Sequence, residues 1–318
     1  MSDWRDPHVF WNEETKEYWM LLAARVKSAS NRDGCVALCT SNDLKKWNIS
    51  EPLYSPKIHV SAHECPDIFK LGDWWYLVYS SYTDRFGTFY RMSKSLSEPW
   101  ISPEVDIFDG RAFYADKSGF DGENYYLFGW NPTKTEDLFN WNPQGYDGFD
   151  YNTWDWGGNL IVHQLIQRSD GSLTVKCPAS IENKFQKLVI QSFVPVLGKW
   201  NIDNNNLSVR SVDGFSCSLA GNIPDVCMIE GRLLFGPGTK SLGIVLQADE
   251  VVDKGYYIKF EPARDRVTFS SHIMQSEEGG KTFPYEVELE RSIKLMPGKN
   301  YKIKVFIDGN INIKKCMI

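Results

Sequence analysis

Short strand-like runs of predominantly apolar residues, separated by polar breaks, dominate the first half of the chain. Segments 17–24, 35–40, 74–80, 89–92 and 125–130 are brief and rich in aromatic or β-branched residues. Each is bounded by Gly, Asp, Asn or Pro. Long stretches with a helical period are hard to find, so the pattern predicts an all-β protein.

Two of these runs follow a shared motif. Trp4-Arg5-Asp6-Pro7-His8-Val9-Phe10 precedes the aromatic segment Tyr18-Trp19-Met20-Leu21-Leu22, and His63-Glu64-Cys65-Pro66-Asp67-Ile68-Phe69 precedes Trp74-Trp75-Tyr76-Leu77-Val78. In each, an acid stands shortly before Pro-x-[Val/Ile]-Phe. Pro7 and Pro66 are 59 positions apart, and a more degenerate unit starts at Phe113-Tyr114-Ala115-Asp116. A period of this length with several strands per unit fits propeller blades better than a solenoid, and such repeats gather carboxylates around an axis. About three blades are expected over 1–180.

Near Ser180 the pattern changes. A short polar stretch with some helical character, 181–188, leads into strands without the blade motif. Segments 255–260 and 266–270 alternate across a turn at Ala263-Arg264-Asp265, and 285–289 and 301–307 continue the period of two. A β-sandwich is expected over 181–318.

The 318 residues suffice for two cores, and the net charge of -6 argues against a nucleic-acid or anionic-membrane partner. No apolar run is long enough to span a bilayer, and no signal-like start is present. Seven scattered cysteines without a close pair indicate free thiols in a reducing, cytoplasmic setting. Neither a metal nor a cofactor is expected.

Arg5-Asp6-Pro7 and Glu64-Cys65, with their acids 58 positions apart, resemble the "RDP" and "EC" motifs of glycoside hydrolase family 32. This is the family of invertases, fructanases and sucrose-phosphate hydrolases. Phe113-Tyr114-Ala115, Phe128-Gly129-Trp130 and the stretch from Trp156-Gly157-Gly158-Asn159 to Asp170-Gly171 are similar too. The resemblance implies a five-bladed propeller followed by a β-sandwich, and retaining hydrolysis of terminal β-D-fructofuranosides such as sucrose, a sucrose phosphate or a fructan. It makes Glu64 the general acid and then base, and Asp6 the transition-state stabiliser. Arg5, Cys65, Tyr114 and Trp130 become the substrate-binding residues. The apolar neighbours of Glu64 in sequence are expected to raise its pKa toward the working pH.

The family's nucleophile, the Asp of an N-terminal W-x-N-D-P-x-G motif, has no counterpart here. Trp141-Asn142-Pro143-Gln144-Gly145 lacks the Asp and reads as a loop. The chain is therefore expected to be an N-terminally truncated member, incomplete at its C-terminus as well, and inactive or nearly so alone. Asp116-Lys117 stands where many relatives carry Pro-Gln, which puts substrate contacts from that blade in question. Two other readings remain open: a vestigial or non-catalytic carbohydrate-binding propeller, and a family 43-like arabinan- or xylan-directed glycosidase. His63 is expected to be a structural histidine, and His163 and His272 surface or packing residues. Cys65 reads as a small neighbour that tunes Glu64, and Trp19, Trp74 and Trp75 as packing residues.

Overall fold

The computed structural model describes residues 1–83, 86–97, 99–110, 113–134, 154–203, 206–211, 214–221, 223–246, 248, 255–271, 287–308 and 316–317. Among them one compact unit runs to Ala179 and a second begins at Ser180.

The first unit consists of three antiparallel sheets, each a meander. Strands β1 (Ser2–Asn12), β2 (Glu17–Arg25), β3 (Gly34–Ser41) and β4 (Asn48–Ile49) form the first, in that order. The second contains β5 (Glu64–Leu71), β6 (Trp74–Ser81) and β7 (Gly87–Ser93). The third contains β8 (Tyr114–Phe120), β9 (Tyr125–Lys134), β10 (Trp154–Gln167) and β11 (Leu173–Lys176). These are the three blades of a partial propeller. The Arg-Asp-Pro and Glu-Cys-Pro motifs are themselves the first strand of their blades, not turns ahead of it.

The middle blade explains why its sequence reads as nearly continuous apolar residues. Ile68, Leu77, Tyr79 and Phe89 pack against Trp19, Leu21, Val36 and Leu38 of the first blade. Phe69, Tyr76, Val78, Tyr90 and Met92 project the other way, against Phe113, Leu127, Leu165 and Leu173 of the third. A strand buried on both faces needs apolar residues at both parities, whereas one covered on a single face alternates. Trp19 is in the first of these cores, and Trp74 and Trp75 pack at their margins.

Tyr76 carries a polar group into the second of these interfaces with both of its hydrogen-bonding roles filled. The Tyr76 hydroxyl donates to the Gly171 carbonyl at 2.5 Å and accepts from the Gln167 amide at 2.6 Å. Gly171 is required there: its φ is +86°, and a Cβ would lie 2.3 Å from the Trp74 indole nitrogen. Apolar side chains remain exposed at Val9 and Trp11 on β1, and at Phe128 and Leu160 on β9 and β10.

A single helical turn, α1 (Ala179–Glu182), falls at the boundary between the two units and is shorter than the pattern over 181–188 suggests. It buries no side chain, so nothing sustains a longer helix. Then follow β12 (Phe193–Leu197), β13 (Trp200–Asp203), β14 (Asn206–Val209), β15 (Cys217–Ala220), β16 (Cys227–Leu233), β17 (Leu242–Leu246), β18 (Tyr256–Glu261), β19 (Arg266–Ser271), β20 (Val287–Ser292), β21 (Tyr301–Ile307) and β22 (Cys316–Met317). A seven-stranded sheet has the order β12-β15-β22-β17-β18-β19-β20, and β16 pairs with β21. Ala220, Ile244, Leu246, Tyr256 and Ile258 of the large sheet pack on Ile229, Ile303, Val305 and Ile307 of that pair, which makes two layers of a sandwich. The expected turn is a short 3₁₀ segment, Pro262–Arg264, closed by Asp265 in the left-handed region.

Candidate active site

One irregularity recurs at the same place in all three blades. Arg5 pairs with Ala23 and His8 with Leu21, so three steps on β1 match two on β2. The same extra residue separates Glu64 from Asp67 opposite Ser80 and Val78, and Tyr114 from Lys117 opposite Trp130 and Phe128. Each bulge contains a non-glycine residue with positive φ: Asp6 at 56°, Cys65 at 49° and Ala115 at 52°. That backbone costs about 1–2 kcal/mol for an L-residue, and strain repeated in three blades marks a place where the chain re-aims its side chains. The bulges make Arg5, Glu64 and Tyr114 equivalent residues of successive blades.

Those three side chains meet. The Arg5 guanidinium donates to Glu64 Oε1 at 2.6 Å, and the Tyr114 hydroxyl donates to Glu64 Oε2. Asp6, next on its bulge, accepts the Cys65 backbone N–H on Oδ2 at 3.0 Å. The residues predicted from the sequence as stabiliser and acid are thus brought near one another, the Asp6 carboxylate holding the backbone N–H of the residue after Glu64. Glu64 lies between a cation and a phenol, not in the apolar setting expected from its sequence neighbours, because the bulge turns its side chain out of the strand interface.

Asp3 joins this group and was missed in the sequence, where nothing distinguishes it from a solvated residue. It pairs with Arg5 at 2.5 Å and Arg25 at 3.1 Å. The hydrogen bond from Arg5 is the main reason that its pKa is lowered, against a smaller opposing effect of burial. Burial works to lower the pKa of Arg5, but hydrogen bonds to Asp3 and Glu64 outweigh it and raise it. Tyr114 is raised by burial first and then by the Glu64 charge, so its hydroxyl keeps its proton.

Beside Tyr114 stand two further aromatic rings. Phe86 stacks on it at 4.3 Å, and Trp130, its cross-strand partner, meets it edge-on at 6.4 Å. The Cys65 thiol is pushed up to about 12, by burial first and then by Asp6, which leaves it protonated and inert as a nucleophile.

Three positions after Arg5, Glu64 and Tyr114 come His8, Asp67 and Lys117. His8 Nε2 is 3.3 Å from Asp67 Oδ1, and Asp67 also accepts the Ser118 N–H. Burial lowers the His8 pKa, with Asp67 opposing and Lys117 reinforcing the effect. Lys117 Nζ donates to the carbonyls of Cys65 at 3.2 Å and Pro66 at 2.8 Å. Asp116 is fully buried, and neither carboxyl oxygen has a hydrogen-bond partner among the described residues. Its pKa is raised to about 8, by burial first and then by Asp67.

His63 is buried among the rings of Tyr54, His59 and Tyr79, as a structural residue would be. Burial, then the positive groups of His59 and Arg91, push it down to about 3. His163 is bonded to Asp109 at 2.7 Å and lies edge-on to Phe113. His272 and the Trp141–Gly145 segment lie outside the described residues. No cluster of three or more metal-ligating side chains occurs among the described residues, and no described helix is long and apolar enough to cross a membrane.

Residues 1–150 match the family described as "Glycosyl hydrolases family 32 N-terminal domain". A levanase of Bacillus subtilis (strain 168) is 36% identical over 71 residues, which is 22% of this chain and 9% of the levanase. The Bombyx mori GH32 beta-fructofuranosidase BmSUC1 superposes with a TM-score of 0.57 at 15% identity, over 99% of this chain and 64% of that one. An exo-inulinase from Aspergillus awamori gives 0.59 at 14% identity, over 96% of this chain and 58% of that one. These superpositions show a shared fold, and the chain spans less than two thirds of the length of each relative. From this family match and the motif residues brought together by the bulges, residues 1–150 are a glycoside hydrolase family 32 N-terminal domain.

Proposed function

We propose that this chain carries the acid/base and sugar-stabilising part of a β-fructofuranosidase site, for retaining hydrolysis of terminal β-D-fructofuranosides such as sucrose, sucrose phosphate or fructan. The observation that supports this reading most strongly is the convergence of Arg5, Glu64 and Tyr114 from three blades, with Asp6 beside them. Glu64 protonates the departing glycosidic oxygen and later deprotonates a water. Asp6 and Arg5 hydrogen-bond the ring hydroxyls as positive charge develops on the sugar. Trp130 offers an aromatic face next to Tyr114 for the sugar.

Retaining chemistry also needs a carboxylate to form the covalent fructosyl intermediate. Asp3, a third carboxylate on Arg5 beside Glu64 and Asp6, is tied to two guanidiniums, which leaves it poorly placed to attack. The 318 residues alone therefore turn over slowly. A second reading, a carbohydrate-binding protein without catalysis, draws on the fact that both Glu64 oxygens are engaged by protein groups. Tyr114 or Arg5 must yield before a leaving oxygen can reach the acid.

Rescue by a small external nucleophile separates the two. Azide attacks the anomeric carbon, the fructosyl–oxygen bond breaks, and the leaving oxygen takes its proton from Glu64. With sucrose and concentrated azide the protein should form fructosyl azide, and Glu64→Gln or Asp6→Asn should lower its yield by about tenfold or more. Sucrose binding without any fructosyl azide would favour the non-catalytic reading. Fast fructose release without azide that disappears in Glu64→Gln would mean that another residue of this chain is the nucleophile.

A further inference from the structure

Asp116-Lys117 departs from the Pro-Gln of many relatives, and the site as described gives Lys117 no contact with Glu64 or Asp6. Its ammonium instead crosses from the third blade to the second and donates to two consecutive carbonyls, Cys65 at 3.2 Å and Pro66 at 2.8 Å. These are the carbonyls that immediately follow Glu64. They belong to a bulge whose left-handed residue, Cys65, has a β-carbon and so resists the conformation it adopts.

The same bulge is held from the opposite side by the first blade. Asp6 accepts the Cys65 N–H at 3.0 Å, and His8 lies 3.3 Å from Asp67. Without Lys117 the bulge would be gripped on one side only, with two carbonyls in a half-buried place and no donor. A bulge that relaxed toward ordinary strand geometry would shift its register by one residue and turn Glu64 toward the opposite face of the sheet.

We propose that Lys117 is a positioning residue for Glu64: by clamping the Cys65 and Pro66 carbonyls it fixes the left-handed bulge that aims the Glu64 carboxyl between Arg5 and Tyr114. The proposal deepens the reading of Glu64 as the proton-transferring residue and rests on it for its functional meaning, but the clamp itself is testable without substrate. A lysine suits this task because one ammonium has three donors and can serve two carbonyls at once. A glutamine at the same position offers two amide hydrogens without the charge.

The test is carried out on the full chain by NMR, with amide hydrogen exchange read at Cys65 and the side-chain carboxyl resonance of Glu64 assigned by its loss in Glu64→Gln. Lys117→Met should speed exchange at the Cys65 amide by about tenfold, the expected loss for one or two hydrogen bonds, and should move the Glu64 carboxyl resonance. Exchange in β2 and β10, away from the bulge, should stay within about twofold. Lys117→Gln, which keeps donors and guards against a variant that fails to fold, should restore most of the Cys65 protection. Unchanged Cys65 exchange and an unmoved Glu64 resonance in Lys117→Met would overturn the proposal. So would faster exchange of equal size in all three blades, which would make Lys117 a residue of general stability. A sucrose titration of the unaltered chain tests the fructoside reading separately, since a chain that bound no sugar would still show or lack the clamp.

Discussion

Replacing Asp116 by asparagine should stabilise the protein at pH 7, and by less as the pH falls. The carboxyl is fully buried, and its pKa is raised from 3.8 to about 8 by burial first and then by Asp67. Between those two values the folded protein holds a proton that the unfolded chain has released. Stability is therefore lost as pH rises from 3.8 toward 8 and is level above it. Each pH unit in that window is worth about 1.4 kcal/mol, so the carboxyl costs about 4 kcal/mol at pH 7 and about 2 kcal/mol at pH 5. Asn has nearly the same shape and no charge to bury, so the Asp116→Asn variant should be free of this slope. Urea unfolding followed by tryptophan fluorescence at pH 5, 6, 7 and 8 measures the gap between variant and parent. A gap that widens with pH supports the assignment, whereas a constant gap, or a variant less stable than the parent at pH 7, refutes it.

Asp6→Ala should cost about 1–2 kcal/mol through loss of the acceptor for the Cys65 N–H. Asp6→Asn should cost less than half of that, since an amide oxygen can still accept, and urea midpoints of the two variants check the ordering. Cys65 should resist alkylation by iodoacetamide at pH 8 in the folded protein and react once unfolded, because its thiol is pushed up to about 12; mass spectrometry of the labelled peptide reads this. Exposed Val9, Trp11, Phe128 and Leu160 should make the protein associate and bind the dye ANS. A monodisperse monomer without dye binding in size-exclusion chromatography would contradict that.

Much of the architecture is visible in the residues because strand periodicity and blade packing leave direct marks. Glu17–Arg25, Gly34–Ser41, Trp74–Ser81 and Tyr301–Ile307 appear where alternation or dense apolar character places them. The middle blade is legible even without alternation, since burial on both faces demands apolar residues at every position. The bulges are not legible. They depend on one extra residue relative to a partner strand, and Cys65 and Ala115 are not residue types that announce a left-handed backbone. For the same reason the convergence of Arg5 and Tyr114 on Glu64 could be expected only from the family resemblance. Asp3 escapes altogether, and Lys117 shows only as a departure from the Pro-Gln of relatives, because neither an ion pair nor a carbonyl clamp across 52 positions leaves a periodic trace. The helical pattern over 181–188 misleads in the opposite direction, since polar spacing alone does not sustain a helix that buries nothing.

The central claim is that Arg5, Glu64 and Tyr114, joined across three blades with Asp6, form a fructoside-binding site. Titration of the isotope-labelled protein with sucrose tests it most directly, with chemical shifts followed at these residues and at Trp130. The account predicts saturable shifts centred on the four site residues, lost in Arg5→Ala and in Glu64→Ala while the rest of the spectrum stays folded. Shifts that scatter over the surface without saturating, or that persist unchanged in both variants, would contradict it.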